Sequence, residues 1–342
     1  MMNFDEQMMQ RCIQLAQNGF GDTYPNPMVG CVIVHNGKII VEGWHEKAGK
    51  PHAEVNAIHQ IHDKEILKQS TLYVSLEPCA HHGKTPPCAD LIIQHQIPKV
   101  VIGTIDSFAK VNGLGIQKLK DAGIEVISGA LEIECRDLNK RFFTFHQEKR
   151  PYVILKWAQT ADGFMAIENG EQKWITNEYS KQLVHKWRTE EQSILVGTKT
   201  AETDNPQLNA RLWNGNQPIR LVLDKELKLN QNLNLFDRNQ KTIIFSEKEK
   251  ANQENLEFIQ TSFDKNLPDS ILQKLHEIGI QSVIIEGGKK TLESFIQKDL
   301  WDEARIFTSS ESWDSGIKSP EIHGKMIHSK KIISDKLEIF TR

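Results

Sequence analysis

Three residues in the first half of the chain have the types and spacing of a zinc-binding set. His52 begins the segment His52-Ala53-Glu54, and Cys79 and Cys88 follow within the segment EPCAHHGKTPPC. One histidine and two cysteines leave a fourth position on a tetrahedral zinc ion, as catalytic zinc sites require. Zinc in such a site makes water acidic enough to attack as hydroxide near neutral pH. The pattern therefore predicts a catalytic zinc site.

Glu54 is the predicted proton-transfer residue of this site. It lies two residues after His52, close enough to move protons without binding the metal itself. Zinc deaminases of nucleobases combine a His-x-Glu element with a Pro-Cys element in the same way, and only two residues separate their cysteines. Here residues 80–87 separate Cys79 from Cys88. Two histidines in this segment, His81 and His82, are alternative ligands.

The elements that would position these residues alternate between strand and helix patterns. An amphipathic helix is predicted from Asn3 to Gly19, and Asn36-Gly37 between two β-branched runs predicts a hairpin. A helix is also expected directly after His52. Further strands are predicted at 71–76, 99–105 and 124–129. Together they indicate a layered α/β domain over residues 1–146.

A second α/β domain is predicted over residues 151–342. The polar segment 146–151, HQEKRP, ends in proline before a new strand and therefore marks a domain boundary. The predicted strands lie near 152–158, 193–197, 219–223, 241–245, 281–285 and 304–308, and the predicted helices near 177–190, 268–278 and 289–299. Residues 246–266 are polar and are expected to form a surface excursion.

Composition and charge disfavour several classes of partner. The 342 residues include 42 basic and 45 acidic side chains, with a formal net charge of −3. No nucleic-acid track is expected, because no predicted face carries a Lys/Arg cluster. No leader or long apolar run is found, so no membrane association and a cytoplasmic location are expected. The five cysteines do not suit a disulfide framework, because they are few and their number is odd.

The zinc motifs resemble the deaminase half of the bifunctional riboflavin-biosynthesis deaminase–reductases. HAE and EPCAHHGKTPPC carry the resemblance, and YPNPMVG (24–30) and GWH (43–45) extend it. It implies a three-layer α/β/α fold like that of cytidine deaminases. The implied reaction is zinc-dependent deamination of 2,5-diamino-6-ribosylamino-4(3H)-pyrimidinone 5′-phosphate. The residues that it places around the substrate are Asn26, His45, His81 and Lys84.

The chemistry of these residues agrees with substrate binding. Asn26 and His45 can read a pyrimidine edge, and Lys84 can meet a phosphate dianion. The alternatives are a turn residue for Asn26 and a solvated loop lysine for Lys84. Asp106 ends a predicted strand at the same edge and is a further candidate. The glycine-containing segment 111–115 is either a tight turn near the substrate or a helix cap.

Four blocks of the second half resemble the reductase of the same family, whose fold is similar to dihydrofolate reductase. They are LKWAQTADGFMA (155–166), WIT (174–176), ILVGTKTAETDNPQLNAR (194–211) and VIIEGGKKTLESF (283–295). The implied reaction is NADPH reduction of the ribosyl group of 5-amino-6-(5-phosphoribosylamino)uracil to ribityl. The implied NADPH contacts are Ala158, Trp174, Thr200, Asp204, Gly287 and Gly288. The implied substrate contacts are Gln172, Arg188, Leu208, Arg211 and Glu286.

Parts of this assignment have a physical basis. Gly287 and Gly288 lie between a strand pattern and a helix pattern, where backbone amides can approach a pyrophosphate. Arg188 and Arg211 suit a phosphate because guanidinium binds it bidentately. Alternatives remain for single residues: Arg188 fits a solvated helix face, Trp174 a core position and Asp204-Asn205-Pro206 a turn. Lys156 has no assigned role.

Two other classes of function remain open from the sequence. One is a nucleobase or nucleic-acid deaminase with an accessory domain. The other is a binding module with structural zinc, which would need a fourth protein ligand such as His81 or His82. The resemblance favours small pyrimidine ribonucleotides as partners, and a homodimer or higher homo-oligomer formed through the reductase domain.

Overall fold

A computed structural model describes residues 2–80, 86–106, 113–168 and 174–342. The chain folds as two compact units, Met1–Glu148 and Lys149–Arg342. The division between them falls inside the polar segment 146–151. In the ranges that the structure describes, no helix is both long enough and apolar enough to cross a membrane.

The first unit contains one five-stranded sheet and its flanking helices. The helices are α1 (Phe4–Ala16), α2 (Ala53–His59), α3 (Cys88–Gln94), α4 (Leu114–Asp121), α5 (Glu132–Leu138) and α6 (Lys140–Glu148). The strands are β1 (Gly30–His35), β2 (Lys38–Trp44), β3 (Ser70–Leu76), β4 (Lys99–Thr104) and β5 (Glu125–Ser128). The sheet order is β2-β1-β3-β4-β5. β1 is antiparallel to both β2 and β3, whereas β3, β4 and β5 are parallel.

Helices cover both faces of this sheet. Cys31 and Ile33 of β1 belong to an apolar cluster that includes residues of α2, α3 and α4. Val32 and Val34 belong to a second cluster, with residues of α1 and α5. Successive residues of a strand point to opposite faces, so the two clusters lie on opposite sides of the sheet. The unit therefore has the expected three layers.

Two local signals of the first unit form as predicted. Asn3 and Glu6 form a reciprocal capping box at the start of α1, with N–O distances of 2.8 and 2.9 Å. Asn36 and Gly37 turn the chain between β1 and β2 with positive φ angles of 49° and 71°. Both residues tolerate that conformation, which explains the hairpin.

The second unit is built around a nine-stranded sheet. Its helices are α7 (Glu178–Glu190), α8 (Thr198–Asp204), α9 (Leu267–Glu277) and α10 (Lys289–Gln297). Its strands are β6 (Tyr152–Gln159), β7 (Phe164–Ala166), β8 (Ser193–Val196), β9 (Ile219–Leu223), β10 (Thr242–Ser246), β11 (Leu256–Gln260), β12 (Ser282–Ile285), β13 (Glu303–Thr308), β14 (Ile317–Lys318), β15 (Lys325–Ile332) and β16 (Asp335–Thr341). The large sheet has the order β11-β10-β9-β8-β12-β6-β13-β16-β15, and β7 pairs with β14.

The direction of the strands places the second candidate site. Neighbouring strands from β11 to β13 are parallel, and the hairpin of β15 and β16 adds two antiparallel strands. One face of the sheet packs against α9 and α10, and the other against α7 and α8. Because the strands are parallel, the residues that follow β6, β8, β12 and β13 meet at one edge.

Two parts of this sheet were not predicted. The polar segment 246–266 was expected to be a surface excursion, and this was wrong, because it contains β11. That strand is at the sheet edge, and Leu256 is its one buried residue, so its apolar signal is weak. The hairpin of β15 and β16 was also missed. All but the last residue of β15 are exposed, which removes the apolar pattern that marks a strand.

Candidate active sites

The three predicted zinc ligands converge in the first unit. His52 Nδ1 lies 3.3 Å from Cys88 Sγ and 3.7 Å from Cys79 Sγ. The three ligand atoms all lie within 4.8 Å of one another. Tetrahedral zinc, with nitrogen and sulfur ligands at their usual bond lengths, requires an N–S separation of about 3.6 Å. The donor set and its spacing therefore fit zinc.

Three separate elements hold these ligands. His52 is the N-cap of α2, Cys88 is the first residue of α3, and Cys79 follows β3. Cys79 itself is in neither a helix nor a strand, because residues 77–80 have no regular structure. The amide that supports the Cys79 thiolate comes instead from α3, since the Cys88 N–H donates to Cys79 Sγ at 3.3 Å.

Hydrogen bonds among the three ligand side chains shift their pKa values in different directions. A hydrogen bond from the Cys88 thiol, together with contacts from His52, lowers the pKa of Cys79 to about 4. The hydrogen bond to Cys79 raises the pKa of His52 to about 8. The hydrogen bond to Cys79 and burial raise the pKa of Cys88. Zinc binding must therefore displace protons from His52 and Cys88, as it does in metal sites generally.

Glu54 lies beside the ligands in the first turn of α2. Its side chain is buried, and burial raises its pKa above the ordinary value against the opposing effect of His52. Its carboxyl group also forms a hydrogen bond with the Cys88 thiol. A carboxyl group with a raised pKa exchanges protons more readily near neutral pH than an exposed one.

Asn26 and His45 lie beside the zinc ligands. The His45 ring centroid is 5.4 Å from that of His52. His45 Nδ1 is 3.0 Å from the Pro51 carbonyl oxygen, and its Nε2 is 3.1 Å from Asn26 Nδ2. This pattern assigns the proton to Nδ1, which donates to Pro51, while Nε2 accepts from Asn26. Burial lowers the pKa of His45, which keeps the ring neutral.

The structure describes some of the other deaminase candidates and not the rest. Asp106 is buried directly after β4. His81 and Lys84 lie outside the described residues. Of the segment 111–115, Gly113 is the N-cap of α4 with a positive φ of 86°, so the helix-cap interpretation holds for its described part. Sequence reasoning missed Glu77, whose carboxylate is bound to this cap, because a single acidic residue before proline has no distinguishing pattern.

A group of buried charged residues lies where β12 ends in the second sheet. Glu286 directly follows β12, and its Oε2 lies 2.9 Å from Arg188 Nη2 and 3.7 Å from Lys156 Nζ. Burial by itself would raise the pKa of Glu286, but the charges of Arg188 and Lys156 outweigh it and the pKa is lowered. Burial in turn lowers the pKa of Lys156. The alternative of a solvated helix face for Arg188 does not hold.

Several polar atoms of this group lack hydrogen-bond partners among the described residues. They are Glu286 Oε1, Arg188 Nε and His185 Nδ1, all of them buried. Burial, followed by the charges of Arg188 and Arg211, lowers the pKa of His185 to about 4. Buried polar atoms without partners are costly, and a polar ligand would satisfy them. His185 was not predicted, because a lone histidine on an amphipathic helix is common.

Glycines at the same edge allow two helices to begin side by side. A Cβ on Gly197, before α8, would lie 2.5 Å from Thr291 Oγ1, and one on Gly287 would lie 2.6 Å from Thr291 Cβ. A Cβ on Gly288, the N-cap of α10, would lie 3.2 Å from Thr200 Oγ1. Bare amides at such helix starts bind phosphate groups. The Gly287-Gly288 turn therefore fits the pyrophosphate of NADPH.

The remaining candidates of the second unit have varied surroundings. Trp174 is 59% exposed, so its alternative as a core residue does not hold, and Lys181 Nζ lies 4.2 Å from its ring centroid. Burial raises the pKa of Asp204 at the end of α8. Leu208 packs in the apolar core on the α7 side of the sheet, whereas Arg211 is exposed.

Ala158 and Gln172 are the last two candidate residues of the reductase site. Ala158 is half-buried near the end of β6. Gln172 lies outside the described residues.

Comparisons with known proteins identify the class of each domain. Residues 2–104 match the cytidine and deoxycytidylate deaminase zinc-binding region, and residues 151–310 match the RibD C-terminal domain. The riboflavin biosynthesis protein RibD of Aquifex aeolicus is 40% identical to this chain. The match covers 98% of this chain and 95% of the Aquifex protein. The RibD protein of Actinobacillus pleuropneumoniae is 45% identical to this chain. The match covers 89% of this chain and 83% of the Actinobacillus protein.

Solved structures extend the likeness to the whole fold. A diaminohydroxyphosphoribosylaminopyrimidine deaminase/5-amino-6-(5-phosphoribosylamino)uracil reductase from Thermotoga maritima superposes with a TM-score of 0.91 at 38% identity, covering 99% of both chains. The RibD of Acinetobacter baumannii superposes with a TM-score of 0.90 at 33% identity, over 99% of both chains.

Fold and site together define a zinc-dependent deaminase of the cytidine deaminase type, joined in one chain to a reductase. The chain belongs to the RibD family of bifunctional riboflavin-biosynthesis enzymes. Its cofactors are zinc and NADPH, and both sites described above have residues that fit them. Family membership decides against the two other classes of function that the sequence left open.

Proposed function

We propose that the first unit deaminates 2,5-diamino-6-ribosylamino-4(3H)-pyrimidinone 5′-phosphate and that the second reduces the ribosyl group of the product to ribityl. We assign these activities to domains 1–146 and 151–342. The observation that carries the proposal is the convergence of His52, Cys79, Cys88 and Glu54 in a chain that also contains the reductase fold. The deaminase and reductase activities for which the Thermotoga maritima relative is named support the choice of substrates.

In the deaminase unit, His52, Cys79 and Cys88 hold zinc and Glu54 moves protons. When bound, zinc supplies Lewis-acid activation of water. The buried Glu54 carboxylate takes a proton from the attacking water and passes it to the amino group that leaves as ammonia. The substrate carbon exchanges its C–N bond for a C–O bond, so water is consumed and the reaction needs no other reactant.

The remaining deaminase candidates bind the substrate in this proposal. Asn26 and His45 are hydrogen-bonded to each other beside the ligands, so the His45 ring and the Asn26 amide are held in a fixed orientation in which they can meet a pyrimidine edge. Asp106 lies at the carboxyl end of β4. We assign His81 and Lys84 to the substrate from the family motif, with the Lys84 ammonium as a phosphate contact.

In the reductase unit, the edge formed by β6, β8 and β12 holds the cofactor and the sugar. When bound, NADPH supplies the hydride. Gly287 and Gly288 approach its pyrophosphate through their amides. The residues that we assign to the rest of the cofactor are Ala158, Trp174, Thr200 and Asp204. The exposed indole of Trp174 is open to a stacking partner.

The buried charged group of this unit faces the ribosyl substrate in the proposal. Glu286 and Arg188 each have a buried polar atom without a partner among the described residues, and a sugar hydroxyl would satisfy both. Arg211 is exposed and available to a phosphate. We also assign Gln172 and Leu208 to the substrate. Hydride transfer to C1 breaks its bond to the ring oxygen, which takes up a proton.

We further propose a homodimer or higher homo-oligomer formed through the second unit, in the cytoplasm. Strand β15 lies at the end of the nine-stranded sheet and exposes Met326 and Ile327, each 51% exposed. An exposed edge strand is a template for pairing with a second copy. The five free cysteines suit a reducing compartment. Sedimentation of Ile327→Lys tests the assembly, since a dimer formed at this edge should dissociate and one formed elsewhere should not.

The decisive experiment follows two products from the diamino substrate under anaerobic conditions. Zinc-loaded protein with NADPH should release ammonia and then oxidise NADPH. Glu54→Gln should lower ammonia release by about 10²-fold or more, and should block NADPH oxidation from the diamino substrate while sparing it from the deaminated one. Ammonia without NADPH oxidation would contradict the reductase assignment. Neither signal in the wild type would contradict the whole proposal.

A further inference from the structure

Four backbone amides of the described residues bind the carboxylate of Glu77. Glu77 is buried and lies between the end of β3 and the zinc ligand Cys79. Both of its oxygens accept hydrogen bonds from a segment far along the chain. The donors are the N–H groups of Asp106 and Gly113 to Oε2, at 3.2 and 2.9 Å, and of Gly115 and Ile116 to Oε1, at 2.8 and 3.2 Å.

Close packing surrounds these hydrogen bonds. A Cβ on Gly115 would lie 2.0 Å from the carbonyl oxygen of Pro78, so the start of α4 touches the turn that carries Cys79. The backbone N–H of Glu77 donates to the Thr104 carbonyl oxygen at 3.0 Å. Both the main chain and the side chain of Glu77 therefore tie the ligand turn to the end of β4 and the start of α4.

We propose that Glu77 is a positioning residue of the deaminase site. Its carboxylate holds the Pro78-Cys79 turn against the segment that contains Asp106, so that a zinc ligand and a substrate contact keep one fixed separation. The inference rests on the deaminase function proposed above for its effect on substrate. Its effect on the metal ligand depends only on the zinc-binding residues.

A carboxylate suits this position because the partners of its oxygens among the described residues are all N–H donors. Four N–H groups meet two oxygens, and charge-assisted hydrogen bonds of this kind are about twice as strong as neutral ones. An amide in its place would turn a donor toward two of these N–H groups. The occupied amides at the start of α4 also leave no room for a substrate phosphate on Gly115 or Ile116.

The test compares Glu77→Gln with the matched control Glu125→Gln in the full-length protein. Glu125 lies in the same unit, is 62% exposed and forms an ion pair with Lys99. Three properties are measured: the absorption spectrum of the Co²⁺-substituted protein, the rate of zinc transfer to a chromogenic chelator, and kcat and KM for ammonia release. The second unit provides an internal control for intact protein, namely the oxidation of NADPH when the deaminated substrate is supplied.

Glu77→Gln should shift the Co²⁺ bands and weaken zinc binding by about 10–100-fold, as loss of a group that orients a metal ligand does. It should lower kcat more than it raises KM, with reductase activity unchanged, and Glu125→Gln should resemble the wild type. A variant that only unfolds at a lower temperature, with unchanged Co²⁺ spectrum, zinc transfer and kcat, would overturn the proposal.

A second variant keeps the inference testable if Glu77→Gln does not fold. Gly115→Ala disturbs the same junction from the other side, through the Pro78 carbonyl, and should shift the Co²⁺ bands in the same way. An unchanged spectrum in Gly115→Ala would also overturn the proposal. If the wild type releases no ammonia but either variant alters the metal spectrum, the proposed deaminase function fails while the positioning of Cys79 stands.

Discussion

The Nδ1 atom of His52 lies 3.3 Å from the Sγ atom of Cys88, although the two residues are 36 positions apart in the sequence. The first turns of α2 and α3 meet at this point, and Cys79 completes the set from the end of β3. This contact belongs to the first unit alone. The metal and the reductase reaction should therefore be separable by experiment.

Removal of the metal should abolish one activity and spare the other. Dialysis against a chelator should stop ammonia release. The reduction of the deaminated substrate by NADPH should continue, because the residues assigned to NADPH belong to the second unit. Zinc added back should restore ammonia release. Cys88→Ala should bind less than one zinc per chain by elemental analysis and should not recover. Loss of both activities on chelation would contradict the prediction.

Arg188→Lys should impair the reductase. Arg188 donates from Nη2 to Glu286 at 2.9 Å and from Nη1 to the Asn209 carbonyl oxygen at 3.1 Å. A lysine ammonium cannot reproduce this fork, so kcat/KM for NADPH oxidation should fall by about tenfold or more. Ammonia release should not change. Arg238→Lys, at an exposed position of the same unit, is the control, and an equal loss in both variants would contradict the prediction.

Arg150→Ala should destabilise the second unit. Arg150 binds Asp302 with both terminal nitrogens, at 2.6 and 2.8 Å, and Asp302 also accepts the N–H of Val153 at 2.8 Å. Loss of one partner of a largely buried pair costs about 3–5 kcal/mol. Urea unfolding followed by tryptophan fluorescence should show this loss. Lys298→Ala, which breaks the more exposed pair with Asp269, should cost less than about 1 kcal/mol.

The buried His185 should make stability depend on pH. Its pKa is about 4 in the folded protein against an ordinary value of 6.5. As pH falls below 6.5, the unfolded chain binds a proton that the folded protein does not, so the free energy of unfolding decreases until pH 4. The contribution present above pH 6.5 and lost by pH 4 is at most roughly 3 kcal/mol.

His185→Gln isolates this contribution. The free energy of unfolding is measured from pH 7 to pH 4.5 for the wild type and the variant, and the slope of the variant should be smaller. His328→Gln, at an exposed position, should retain the slope of the wild type. Equal slopes in His185→Gln and the wild type would show that His185 does not titrate in this way.

Short-range patterns predicted much of the fold. The capping box of Asn3 and Glu6 and the hairpin at Asn36-Gly37 formed as expected because all their partners lie within a few residues. The central parallel strands also formed as predicted, because they are buried on both faces and therefore have continuous apolar runs. Strands β11 and β15 were missed because their exposed edges have no such run.

The chemistry of the zinc site was predictable for a similar reason. The ligand types, the His-x-Glu spacing and the Pro-Cys element can all be read from the residues themselves. The resemblance of these motifs to a known family then indicated a class of substrate. The pairing of Asn26 with His45 and the role of Glu77 were not predictable, because each depends on hydrogen bonds between separate elements.

The sequence by itself indicated which residue types suit metal binding and acid–base chemistry, and which segments form most of the helices and buried strands. Only the tertiary structure decided which of these side chains meet. Arg188 in α7 and Glu286 after β12 are 98 positions apart, and they form an ion pair because α7 packs against the face of the sheet that includes β12. Strand order and register depend on the packing of the whole sheet, and the local sequence around either residue contains no information about that packing.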